Sequence, residues 1–136
     1  MGNRQSAIGN RQPTVVGEVR IESHRDLRVW QAAMTLAEEC YAVTKDFPDS
    51  ERFGMTSQIR RASVSIAANI AEGYGRDSTG SYVQFLKTAQ GSVKELETLL
   101  EISQRVGLVA NTDRHLESCD GIGRMLRALI RRLQAR

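Results

Sequence analysis

Tyr82, Leu86, Ala89, Val93, Leu96 and Leu100 follow one another at spacings of 4, 3, 4, 3 and 4 residues, with Phe85 and Leu99 widening the stripe. That alternation confines the segment to an amphipathic α-helix with one buried face. Three other segments repeat the pattern. Leu27, Trp30, Met34, Ala37, Tyr41 and Thr44 recur at 3, 4, 3, 4 and 3 behind Asp26, a residue suited to N-capping. Leu116, Cys119, Ile122, Leu126, Leu129 and Leu133 recur at 3, 3, 4, 3 and 4, flanked by Met125 and Ile130. Between these, Met55, Ile59, Ala62, Ile66, Asn69, Ile70 and Gly73 define a stripe on a helix expected over residues 55–72.

Breaker residues separate the four. Pro48 biases its predecessor away from the α region, so the first helix ends before it. Gly73 and Gly75 end the second and tolerate a left-handed C-cap. Asp77, Ser78 and Thr79 each suit the start of the third, Gly107 closes it, and Asn111 can cap the fourth. Short connections between long amphipathic helices predict an all-α fold, an up-down-up-down antiparallel four-helix bundle over residues 27–136 with shallow crossings of about 20°.

Residues 1–26 stand apart. GNRQ occurs twice there at a period of seven, and bulky aliphatics are scarce before Val15. The segment reads as a tail, largely disordered or, over residues 14–26 where Val15, Val16, Val19 and Ile21 mix with charges, a short extended arm.

A chain of 136 residues suits one such domain. No run of about eighteen apolar residues marks a membrane span, and no apolar signal segment opens the chain, so a cytoplasmic location is expected. Cys40 and Cys119 lack metal-ligand spacing and read as reduced thiols at the core edge, with a disulfide as the alternative.

Catalytic signatures are missing. Residues 73–80, GYGRDSTG, fail the GxGxxG spacing and follow a helix rather than a strand, so they form a cap and turn. There is no Glu-x-x-His for a di-metal centre, and no nucleophile stands with a base in a recognisable arrangement. The expectation is a protein that is not an enzyme and needs neither metal nor cofactor.

Three groups of residues remain as candidate sites. Val64, Ala67, Ala68 and Ala71 lie opposite the core stripe of the second helix, small and apolar where charge is usual. They suit an oligomer interface, or serve as helix formers alone. Asn69, Glu72, Ser92 and Glu95 lie at the margins of the second and third stripes and suit a polar network that fixes register, with ligand binding as the alternative. Arg124, Arg127 and Arg131 form a basic stripe opposite Leu126, Leu129 and Leu133, and Arg60 and Arg61 extend the basic surface or pair with glutamates. With a net charge of +3 and no acid after Asp120, the stripe suits phosphate contact. Complementing the helix macrodipole is the other reading.

Taken together, several motifs resemble the four-helix-bundle proteins encoded in intervening sequences of bacterial large-subunit ribosomal RNA. These are Leu27-x-x-Trp30, Phe47-Pro48-x-x-Glu51, Gln58-Ile59-Arg60-Arg61-Ala62, Asn69-Ile70-Ala71-Glu72-Gly73, Phe85-Leu86-x-x-Ala89-x-Gly91-Ser92 and Glu95-Leu96-Glu97. The chain is also similar to the accessory proteins of diversity-generating retroelements. These resemblances imply a bacterial cytosolic protein with no known enzymatic activity. They further imply assembly as a homopentamer and a basic surface for nucleic acid, RNA before a duplex site, or a protein partner such as a reverse transcriptase.

Overall fold

The computed structural model describes residues 14–16 and 19–136, so the tail expected over residues 1–13 lies outside the described residues. The arm expected over residues 14–26 takes two forms. Strands β1 (Thr14–Val16) and β2 (Val19–Ile21) pair antiparallel, with Val15 opposite Arg20. A 3-10 turn, His24–Asp26, follows in a capping box in which Ser23 accepts from the Arg25 amide and Asp26 accepts from the Ser23 amide. Asp26 therefore caps this turn, and the helix after it starts one residue later than its expected apolar stripe.

Four helices follow: α1 (Arg28–Thr44), α2 (Met55–Tyr74), α3 (Thr79–Arg105) and α4 (Asp113–Gln134). α2 packs on α1 and α3, and α4 packs on α3 and α1. A single apolar cluster runs through all four, and Leu36, Ile66, Leu96 and Leu126 are shut off from solvent at its centre.

Along α3 the expected stripe is the observed one, from Tyr82 to Leu100, all buried. Along α1 it is rotated. The buried residues are Val29, Ala33, Leu36, Cys40 and Thr44, while Met34 and Tyr41 are 39% and 43% exposed. Ala33 and Cys40 are small enough for close helix approach, which leaves the bulky Met34 and Tyr41 at the margin.

Gly73 lies inside α2, not beyond its end. A Cβ there would sit 2.8 Å from the Phe85 Cβ and 3.1 Å from Tyr82 Cδ1, so the residue is a close-packing point between α2 and α3. Gly75 ends the helix with φ −80°, an ordinary value, and the left-handed turn is made by Gly107 at φ +85° after α3. Ser78 caps α3 by accepting from the Ser81 amide. At the start of α4, Asn111 accepts from the Asp113 amide, and the buried Thr112 donates to Gln104 Oε1 at 2.8 Å.

Candidate functional site

The three- and four-residue spacing of Arg124, Arg127 and Arg131 sets them along one side of α4, and all three are exposed, away from the buried Leu126, Leu129 and Leu133. Arg124 pairs with Asp120 one turn earlier. Arg127 and Arg131 make no ion pair among the described residues, so the unneutralised charge of the stripe is theirs.

Arg127 also lines a groove between α3 and α4, together with Gln90, Lys94, Glu97, Asp120 and Gly123. Val93 and Cys119 lie beneath it, 2% and 0% exposed, so the surface it presents is that of its polar rim and the α4 backbone. Lys94 Nζ reaches Glu97 Oε1 at 3.1 Å on the rim. A Cβ added to Gly123 would meet nothing within 4 Å, so the α4 backbone is open to approach at this point. Burial, with the Glu97 charge next in effect, pushes the Cys119 thiol up to about 12. Burial and Glu39 do the same at Cys40, also to about 12. Both cysteines are free thiols, fully buried rather than at the core edge, and neither is a ready nucleophile.

Arg60 belongs elsewhere. Its Nε donates to Thr44 Oγ1 at 2.8 Å, and its guanidinium stacks 4.5 Å from the centre of the Tyr41 ring. It ties α2 to the last turn of α1, where a cation also complements the exposed carbonyls. Arg61 points to solvent and has no ion pair among the described residues. The glutamate partners considered for both arginines are not used.

The polar seam between α2 and α3 is real but differently composed. The Ser65 and Ser92 hydroxyls lie 2.9 Å apart, and Asn69 Nδ2 donates to the Ser65 carbonyl and hydroxyl at 2.8 and 3.1 Å. Glu72 instead pairs with Arg76 at the surface, and Glu95 is exposed and outside the seam. A serine pair suits this position because short hydroxyls satisfy each other without holding helices apart, whereas a buried carboxylate would need a charged partner.

The small-residue face of α2 divides. Ala67 is 5% exposed and packs in the core of the bundle, whereas Val64 is 45% exposed, Ala68 is exposed and Ala71 is half-buried. A helix wedged between α1 and α3 buries a wide arc, and Ala67 falls within it.

Gln90, Lys94 and Gly123 were not singled out in the sequence, and Glu97 entered only within the Glu95-Leu96-Glu97 motif. Gln90, Lys94 and Glu97 repeat at four and three residues beside the apolar stripe of α3. Such a polar line resembles any solvated helix margin until α4 is placed against it.

Among the described residues, no group of three or more His, Cys, Asp or Glu side chains could hold a metal, and no helix is long and apolar enough to cross a membrane.

Residues 25–128 match the family described as 23S rRNA-intervening sequence protein. No curated protein matches the chain. Among solved structures, the chain is similar to a protein of unknown function from the S23 ribosomal protein family of Bacteroides thetaiotaomicron. The two are 23% identical, superpose with a TM-score of 0.68, and the match covers 75% of this chain and 97% of that one. At that identity the likeness concerns the fold.

Proposed function

Since the chain belongs to the 23S rRNA-intervening sequence protein family, we propose that it is a non-enzymatic, self-associating bundle of the cytoplasm that binds nucleic acid, RNA in preference to a specific duplex site, through the outer face of α4. The observation that carries this reading is the line of three exposed arginines, two of them without an ion pair among the described residues. Unneutralised guanidinium groups on one narrow face attract phosphates, and each phosphate contact releases counterions. The name of the family points toward RNA as well.

The up-down-up-down order is part of the reading. It is supported by contacts that run in opposite senses along α2 and α3, Ser65 with Ser92 and Gly73 with Tyr82 and Phe85. Self-association, with a pentamer as the expected number, is supported by Val64, Ala68 and Ala71, which leave α2 apolar and low-profile on its outer side. Repetition of the basic face around such an assembly would multiply a modest affinity.

The test is binding of labelled RNA and DNA by the purified protein over a salt series, beside the triple variant Arg124→Glu, Arg127→Glu, Arg131→Glu. Binding that weakens linearly in log salt and is lost in the variant is the expected result. Absence of binding at low salt overturns the reading. A second reading, an accessory subunit for another protein such as a reverse transcriptase, is favoured by exposed bulky apolar residues. Phe53 is 85% exposed and Val106 63%. In that case the triple variant keeps its partner and the arginines only solubilise the bundle.

A further inference from the structure

The groove between α3 and α4 changes character from one end to the other. Gln90 and Glu97 are two turns apart on α3, and Asp120 and Arg127 are two turns apart on α4, which is about 10 Å at 1.5 Å per residue. Glu97 and Lys94 both act electrostatically on Cys119, the neighbour of Asp120 in sequence, so the two carboxylates gather toward one end with Lys94 beside them. Arg127 and the Gln90 amide are left toward the other.

A groove serving phosphate alone would carry cations throughout, and its carboxylate end would repel a second phosphate. Carboxylates accept hydrogen bonds and cannot donate them, so that end calls for a hydroxyl or amine. Glu97 and Asp120 are already paired with Lys94 and Arg124. Each carboxylate nevertheless has two oxygens with spare lone pairs, and ion pairs at the surface are weak enough to share. The bare backbone at Gly123, where an added Cβ would meet nothing within 4 Å, lets a sugar come close to α4 between Asp120 and Arg127.

We infer that this groove seats one ribonucleotide unit of a single RNA strand, with its phosphate held by Arg127 and the Gln90 amide and its 2′-hydroxyl donating to the Glu97 or Asp120 carboxylate. The 2′-hydroxyl is the group by which a protein tells RNA from DNA. This rests on the nucleic-acid reading above and adds to it a second helix, a defined seat and a choice of sugar.

The experiment compares a labelled oligouridine with the matching oligodeoxyuridine at one fixed salt concentration. It uses wild type, the double variant Glu97→Ala, Asp120→Ala, and Gly123→Leu, each checked for helical content. Wild type binds the ribose form about tenfold more tightly, the scale of one hydrogen bond to a charged acceptor. In the double variant the preference falls to about one, and binding of the deoxyribose form tightens because Lys94 and Arg124 are released to meet phosphate. Gly123→Leu fills the groove without altering charge and weakens the ribose form about tenfold while affecting the deoxyribose form less.

Equal affinity of wild type for the two sugars overturns the inference and leaves the nucleic-acid reading standing, as does a preference that survives the double variant. Failure of wild type to bind either oligonucleotide at low salt removes both. Should Gly123→Leu lose its helical content, the carboxylate variant still decides the matter, since both positions are on the rim.

Discussion

Gly73 of α2 and Gly123 of α4 stand on the two helices that pack on α3, and only Gly73 is pressed against it. Gly73 of α2 would place a Cβ 2.8 Å from that of Phe85, and about two turns earlier on α2 the two helices share the Ser65–Ser92 hydroxyl pair. Gly123 of α4 has nothing within 4 Å of an added Cβ and looks onto a groove. A glycine inside a helix costs about 0.5–1 kcal/mol relative to alanine. At Gly73 that cost is offset by close packing of α2 on α3. At Gly123, as at Gly91 of α3, no contact within 4 Å offsets it, so the residue serves no close packing in the chain. One seam serves folding, and the other is left open for approach.

The largest expected effect lies on the closed seam. Gly73→Val forces a branched side chain into the Phe85 and Tyr82 side chains and lowers stability by about 3 kcal/mol, as overpacking of a tight core does. Urea denaturation measures it. A loss below about 0.5 kcal/mol would mean that α2 and α3 separate easily, and the contrast between the seams would disappear.

Next in size is the response to alkali, because Cys40 lies inside the closed core and Cys119 lies beneath the open groove. Each thiol is raised from 9.0 to about 12 in the folded protein, so the folded state holds its proton more tightly than the unfolded state does. Below pH about 9 this has no effect on stability; above it the unfolded chain gains thiolate and stability falls, by about 1 kcal/mol per thiol at pH 10, continuing toward pH 12. Urea midpoints at pH 8 and pH 10 measure the loss. Iodoacetamide labelling of the folded protein sharpens the comparison. Equal resistance at Cys40 and Cys119 is expected, and faster labelling of Cys119 would show that water reaches beneath the groove.

Much of this was legible in the sequence, unevenly. Every residue of the expected α3 line from Tyr82 to Leu100 is buried, because an apolar line at alternating three and four spacing fixes a helix face, while Val83 and Ser103 are buried beside it without having been marked and Phe85 is only half-buried. α1 offered two adjacent apolar lines, and periodicity cannot choose between them. Packing chose the line with Ala33 and Cys40 because helices approach best over small residues. Ala67 and Ala68 differ in surroundings by one helical step, which composition does not resolve. Arg60 looked like any surface cation until the end of α1 was placed beside it. The arginine line of α4 was visible because it lies within one helix. The groove needed two helices in register, and no spacing along the chain announces that Gln90, Lys94 and Glu97 will face Asp120, Gly123 and Arg127.

The smallest expected effect is also the one with opposite sign. Gly123→Ala adds a methyl group where there is room for it and removes a flexible residue from a helix interior, so the protein gains about 0.5–1 kcal/mol in urea denaturation. One methyl group does not fill the groove but stands where the sugar approaches, so oligouridine binding weakens, by less than the tenfold expected of Gly123→Leu, in the same titration. Together with Gly73→Val, this variant compares the two seams directly: substitution destabilises where the helices touch and stabilises where they do not. A loss of stability at Gly123 that deepens with protein concentration would mean that another copy of the chain already fills the groove in solution. The open seam would then be an interface like the closed one, and the ribonucleotide seat inferred for it would be ruled out.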